Sequence, residues 1–390
     1  MDSHWTAEPV VDWMLEAGRL LPDVDQMVHE LGQILVDAGA PLWRLRLSMR
    51  TLHPLITAFS AVWERDEKET EFIEATHGLE GRSGFVGSPL DIIGRTRVTF
   101  RRRLRDELTE NDHRLLFELR SRGATDYLGI PIRFSRGEIA SLVFITDRAD
   151  GFADFDIDQF HRIASALAPI AEVFNTRRVS QSIAQAYLGA RTGQLVLDGR
   201  ITRGDVERIN AAILMSDIRD WSGLNSRMPA RDALALANAY FEIIAQSVEQ
   251  QGGEILKFIG DAVLAVFAAS ECHLAQRSAC ESALLSARQA LRAAATATPE
   301  IRSLRFGMGL HFGEVLYGNI GSKTRLDFTV LGQAVNITAR IEGLCGDLGQ
   351  SLLFSEEFAD RLQGETVLVT RTRLKGHAGE HSILTVLEAP

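Results

Sequence analysis

The chain has 390 residues, with 52 acidic and 42 basic side chains, a net charge of −10, 45% hydrophobic and 24% charged residues. That balance is expected of a soluble globular protein of two or three domains. A negative total excludes general nucleic-acid binding, which needs a net or clustered positive field, and no stretch approaches the ~18 consecutive apolar residues of a membrane span. The three cysteines, Cys272, Cys280 and Cys345, have no paired spacing. They give no disulfide framework and no zinc pattern, so a reducing cytoplasm is expected. The opening MDSHWTAEPVVDWMLEAG lacks the basic and apolar regions of a secretory signal.

In chain order, residues 1–22 read as a tail or short helix. Val24, Met27, Val28, Leu31, Ile34 and Leu35 then recur at helical spacing. LWRLRLSM and PLITAFSAVWE read as strands. The basic run RTRVTFRRRLRDEL from Arg95 reads as a solvated face, because Asp106, Glu107 and Glu110 follow at once. YLGIPIRFSRGEIASLVFITD gives two strands around a Ser-Arg-Gly turn, and FADFDIDQFHRIASALAPIAEVF a closing helix with aspartates in its first turn. This α+β order over residues 23–176 resembles a GAF domain, a small-molecule sensor module. The resemblance implies an unidentified small-molecule ligand. The stretch holds no cysteine for a thioether-linked chromophore, and its histidines, His29, His53, His77, His113 and His161, are scattered as surface or capping residues.

Residues 177–206 are polar and read as a connector, and residues 207–390 as a second domain. There a strand, AAILMSDI, precedes a long helix. EILKFIGDAVLAVF is two strands around a tight turn, and an Ala-rich helix follows. RFGMGLHFGEVLYGNIG, DFTVLG, the helix GQAVNITARIEGLC and two late strands complete an α/β sandwich of the ferredoxin-like kind.

Four groups in this half can carry chemistry. Asp217 ends an apolar strand and Asp261 sits at a hairpin tip. Either alone could merely serve a turn, but neighbouring strands would bring both carboxylates to one sheet end. Two carboxylates and a backbone carbonyl can hold Mg²⁺ with positions left for phosphate oxygens. Lys257 interrupts the strand before the turn, as a cleft would require, although a snorkelling lysine also fits. Asn336 and Arg340 stand four apart on one helix, side by side on a polar face that suits a sugar and a phosphoryl group. Lys375 precedes a glycine turn and could meet a polyphosphate or water.

In this order the stretches LMSDIRDWSGL, GGEILKFIGDAVLAVF, GMGLHFGEVLYGNIGS, FTVLGQAVNITARIEGL and RLKGHAG resemble the class III nucleotidyl cyclases, the adenylate and guanylate cyclase catalytic domain. The resemblance implies two ions, Mg²⁺ or Mn²⁺, held by Asp217, Asp261 and the Ile218 carbonyl. It implies that Lys257 and Thr329 read the base, Asn336 orients the ribose, Arg340 stabilises the transition state and Lys375 holds the terminal phosphates. It also implies a head-to-tail homodimer whose sites take the aspartates from one subunit and Lys257, Thr329, Asn336 and Arg340 from the other. Adenine is favoured, since its N1 accepts from a lysine and its 6-amino group donates to a threonine, but not exclusively: guanine O6 also accepts from a lysine, so a guanylate cyclase is the alternative. Many adenylate-type members carry aspartate where Thr329 stands. Threonine marks a bicarbonate-responsive subgroup, so bicarbonate stimulation is implied as well.

Two departures stand out. Asp220-Trp221-Ser222-Gly223 replaces a Gly-Phe-Thr-like segment, and Gly307 stands where some relatives carry arginine. Rival readings fare less well. GNIGSKT lacks the final glycine of a Walker A loop, and the Gly-Gly-Glu at 252–254 lacks the following acidic residue and phenylalanine of a diguanylate cyclase. A silent cyclase fold used for dimerisation or nucleotide binding would more readily have lost one of the metal aspartates.

Overall fold

Alternating and helical apolar patterns set the two halves of the chain, which divide between Ala186 and Tyr187. The structure, a computed structural model, describes residues 5–377 and 379–387.

In the first unit, α1 (Glu8–Glu16) buries Val10 and Met14, and α2 (Val24–Asp37) buries Val24, Met27, Val28, Leu31 and Leu35. The Asp23 carboxylate caps α2 by accepting from the Gln26 amide at 2.9 Å. Of residues 1–22, those from Trp5 on are packed, with the short helix in place: Trp5 Nε1 donates to Asp156 at 2.8 Å and α1 joins the core. Strands β1 (Arg44–Arg50), β2 (Ile56–Glu64) and β3 (Glu71–Thr76) lead to α3 (Pro89–Thr96), β4 (Phe100–Arg103) and α4 (Arg114–Ser121). The hairpin β5 (Asp126–Arg133) and β6 (Ile139–Thr146) and the 35-residue α5 (Asp154–Leu188) finish the series.

The six strands form one antiparallel sheet in the order β3-β2-β1-β6-β5-β4. Period-two alternation splits its side chains between faces. Leu45, Leu47 and Met49 of β1 pack with α1, α2 and α5. Arg44, Arg46 and Ser48 project to the opposite face, where α4 covers Tyr127 and Val143. The basic run is not a solvated face. Arg101 pairs with buried Asp126 at 2.8 Å, Arg102 with Asp112 at 2.8 Å, and Arg95 and Arg97 line a cavity.

The closing helix also outruns its expected end, because no proline or glycine stands between Phe174 and Gly189 (φ +86), and it absorbs the first part of the expected connector. The second unit opens with α6 (Ala190–Leu197), whose Thr192 amide and hydroxyl both donate to Glu254. Then come β7 (Val206–Ile218), α7 (Trp221–Arg227), α8 (Ala230–Gln250), β8 (Glu254–Ile259), β9 (Ala262–Ala269), α9 (His273–Thr296), α10 (Pro299–Ser303) and β10 (Phe306–Gly321). The chain ends through β11 (Leu326–Leu331), α11 (Gln333–Asp347), β12 (Leu352–Ser355), α12 (Glu356–Ala359), β13 (Thr366–Thr372) and β14 (His381–Val386).

The sheet order is β13-β14-β12-β10-β7-β9-β8, with β11 paired to β10. Its part β10-β7-β9-β8 is antiparallel throughout, and α8 and α9 connect those strands as a βαββαβ unit of the ferredoxin-like kind. Tyr240, Ile244 and Val248 of α8 and Ala279, Cys280, Ala283 and Ala287 of α9 cover one face. Ile341 and Cys345 of α11 pack with Leu353 and Ile383 on the other.

Candidate functional site

The end of β7 and the tip of the β8–β9 hairpin meet. β7 pairs with β9 through Ser216 opposite Val263, so Asp217 comes level with Ala262 and beside the turn. That turn has two residues between Ile259 and Ala262. Gly260 leads it at φ +65, a left-handed backbone that glycine adopts without steric cost, and Asp261 follows. Burial pushes the Asp217 carboxyl up to about 6, and the neighbouring Asp261 carboxylate adds to the rise while Arg219 opposes it.

The donor set fits a hard divalent cation: two oxygen ligands of like charge, partly withdrawn from water, at the mouth of a strand end. Among the described residues no group of three or more His, Cys, Asp or Glu could hold a metal. Any ion held here therefore needs oxygens from the backbone, such as the Ile218 carbonyl, and from a ligand. Ser216 supports the strand end, its hydroxyl lying 2.6 Å from the buried Tyr240 hydroxyl.

Arg219, next in sequence, was missed by sequence reasoning. Its Nη2 donates to the Glu342 main-chain carbonyl at 2.8 Å and lies 2.7 Å from Glu342 Oε1, off the hydrogen-bonding direction. It thereby ties the loop after Asp217 to α11. Burial pushes the Glu342 carboxyl up to about 7, against the pull of Arg219. The glycine at 307 now has a reason. A Cβ there would collide with the Arg219 guanidinium and crowd Cys345 Cβ at 2.8 Å. Arg219 fills the volume that an arginine at 307 would need. Gly307→Ala should therefore cost about 1–3 kcal/mol by overpacking. Urea melts of Gly307→Ala, Arg219→Ala and the double variant test this, and the double should lose less than the sum of the singles.

The other departure also has a local cause. Asp220 takes φ +54 ahead of α7, a backbone more costly for aspartate than for glycine. Its carboxylate folds over Gly223, where a Cβ would collide with it.

Lys257 owes its position to an irregularity that the sequence does not announce. Pairing slips between Ile255 and Lys257, a β-bulge. Ile255 packs against the α8–α9 core while Leu256 packs on the opposite face. The extra residue leaves Lys257 free to reach β11, where its Nζ lies 2.6 Å from Asp327 Oδ2. Asp327 and Thr329 are two apart on β11, hence on one face, and Thr329 stands opposite Gly318 of β10. Asp327 is the second residue sequence reasoning missed. The Lys257 hydrogen bond holds its carboxyl below the ordinary carboxylate value.

Asn336 and Arg340 are exposed on α11 and make no hydrogen bond or ion pair among the described residues. Their helix is anchored by Ala334, Thr338, Ile341 and Cys345, all buried, with the Thr338 hydroxyl donating to Ala334 O at 2.8 Å. Lys375 is exposed in the turn after β13, before Gly376 at φ +88. Ala378 of the same stretch lies outside the described residues. One chain thus brings together Asp217 with Asp261, and Lys257 with the Thr329 strand. No contact joins Asn336, Arg340 or Lys375 to the aspartates among the described residues.

Comparison with known sequences finds a family described as the adenylate and guanylate cyclase catalytic domain. Residues 206–386 match it. The match runs from the first residue of β7 to the last of β14 and leaves α6 outside. An adenylate cyclase of Anabaena cylindrica is 32% identical over 154 residues, 38% of this chain and 30% of that protein. Adenylate cyclase 1 of Rhizobium meliloti is 27% identical over 230 residues, 55% of this chain and 33% of that protein. The chain thus spans about a third of these relatives' lengths. The solved structure of a bacterial light-regulated adenylyl cyclase aligns at 22% identity with a TM-score of 0.48, over 67% of this chain and 85% of that one. No described helix is long and apolar enough to cross a membrane.

Proposed function

We propose that the second unit converts ATP into 3′,5′-cyclic AMP and pyrophosphate. The convergence of Asp217 and Asp261 at one sheet end, inside the cyclase-family stretch, carries this reading. The ribose 3′-oxygen attacks the α-phosphorus, the bond to the β-phosphate oxygen breaks, pyrophosphate leaves and the hydroxyl proton passes to solvent. Bound Mg²⁺ or Mn²⁺ supplies Lewis-acid polarisation of the phosphate oxygens. Asp217, Asp261 and the Ile218 carbonyl hold the ions. Arg340 meets charge that grows on the five-coordinate phosphorus, Asn336 holds the ribose ring, and Lys375 holds the terminal phosphates. Asn336 and Arg340 come from the other subunit of a homodimer, which accounts for their exposure and free donors in the single chain.

For the base, Lys257 donates to adenine N1 and Thr329 accepts from the 6-amino group. Asp327 holds the ammonium in place meanwhile. Lys257→Met should lower kcat/KM for ATP by about 10- to 100-fold, the loss of one charged hydrogen bond, while the Asp217 site still binds metal. An unchanged ATP preference over GTP in that variant would remove Lys257 from base reading.

The deciding assay offers ATP or GTP, with Mg²⁺ or Mn²⁺, to the purified full chain beside Asp261→Ala. Cyclic AMP that vanishes in the variant supports the proposal. Cyclic GMP from GTP, with no cyclic AMP from ATP, would make this a guanylate cyclase. Nucleotide binding without either product would mean a silent signalling module. The first unit, in this reading, regulates the second through residues 177–206, and bicarbonate raises the rate at constant pH. A shortened chain that tests regulation must keep α6, since Thr192 holds Glu254.

A further inference from the structure

The first unit contains a cavity of about 620 Å³ on the sheet face opposite α1, α2 and α5. That volume lies within the usual range for small-molecule sites. Its wall mixes apolar side chains, among them Ile73, Leu79, Leu90 and Ile139, with an unusual number of cations. Six arginines line it against four carboxylates. Arg50 pairs with Glu80 at 3.0 Å and Arg95 with Asp91 at 3.0 Å, so two of the six are neutralised.

Arg46 is the informative one. It lies on β1, partly buried, with no carboxylate partner among the described residues. Its Nε donates to Ser48 Oγ at 2.9 Å and its Nη2 to Ser60 Oγ at 2.9 Å. A guanidinium has five N–H donors, so three remain. Burial pulls its pKa below the ordinary arginine value, a sign of desolvation without a countercharge. Withdrawing a cation from water in this way costs free energy that two neutral hydroxyls do not return. The two serines aim the fork without neutralising it.

A second observation comes from α4. His113 also lines the cavity, and its Nδ1 accepts from the Leu115 amide at 3.2 Å. In the neutral ring Nε2 then carries the proton, and this buried nitrogen has no partner among the described residues. A positively charged fork with spare donors, on the wall of a part-apolar cavity that His113 also lines, calls for an anionic complement.

We infer that this cavity binds a small organic oxyanion, a carboxylate or phosphate carried on an apolar body, with Arg46 as the group that takes the oxyanion. Planar guanidinium suits both headgroups, because each offers two oxygens to two parallel N–H bonds. The apolar wall takes the body. The inference rests on the first unit alone, and failure of the cyclase assay would leave it standing.

Benzoate and phenyl phosphate, one ring with two headgroups, test it by calorimetric titration of the full chain. At least one should bind at millimolar concentration or better, and the comparison tells which headgroup the cavity prefers. Arg46→Met should weaken that binding about tenfold or more. The ligand-free methionine variant should melt no lower than the parent, since its lost charge had no partner. Arg46→Lys keeps the charge but not the fork, and should fall between the two; it serves if the methionine variant does not fold. The inference is overturned if neither compound binds the parent, or if Arg46→Met or Arg46→Lys, whichever folds, binds like the parent.

Discussion

Asp261→Asn is expected to abolish cyclic nucleotide formation while making the metal-free chain more stable. The activity loss should reach about 10³-fold or more, since several kcal/mol of charge stabilisation at phosphate depend on the ion. The stability gain follows from linkage. Asp217 has a folded pKa of about 6, above the ordinary aspartate value, so the native state holds the extra proton. Folding therefore carries a penalty above pH 6 that is relieved as pH falls towards 4. Burial causes the larger part and Asp261 the next, so the substitution removes only the second. Allowing for solvent screening of this half-exposed pair, the gain is about 1 kcal/mol at neutral pH and closes below pH 4. Mn²⁺ should raise the melting temperature of the parent chain and not of the variant. Thermal melts over pH with and without Mn²⁺ would check this. A variant that still responds to Mn²⁺ would take Asp261 out of the metal site.

The second large effect concerns mixing. Asp261→Ala and Arg340→Ala chains should each be nearly inactive, yet together recover about a quarter of parental activity. Random pairing makes half the dimers mixed, and in a mixed head-to-tail dimer one of two sites is intact. The basis is that Arg340 is exposed without a partner among the described residues, while the aspartates have their own neighbours. Recovery would show sites shared between subunits. No recovery, in a mixture shown to exchange subunits, would place the whole site in one chain.

The sequence made the βαββαβ plan legible because its signals are local and periodic. Apolar alternation marks β7 and β9, and Ile-Gly-Asp marks the turn. The placement of Asp217, Asp261, Asn336 and Arg340 was legible too, since a strand end, a turn and an i,i+4 helix pair are short-range features. Three things escaped it. The bulge at Leu256 leaves no mark in a run of apolar residues. Arg219 and Glu342 are 123 residues apart, and only the packed helix joins them. Asp327 looked like the start of a strand because its partner lies 70 residues earlier. In the first unit the basic run misled for the same reason, with Asp126 and Asp112 supplied by tertiary structure.

The strand order has a practical consequence. β8 closes the sheet on one side, so among the described residues no strand pairs with its outer backbone groups. Glu254 and Lys257 place charge along its first part, but Phe258 and Ile259 at its end are each 50% exposed. An unpaired edge that finishes in two greasy side chains is a template for foreign strands. Preparations of this protein held at high concentration without nucleotide or metal should cloud first from this corner, and a charged replacement at Phe258 is the natural way to keep them clear.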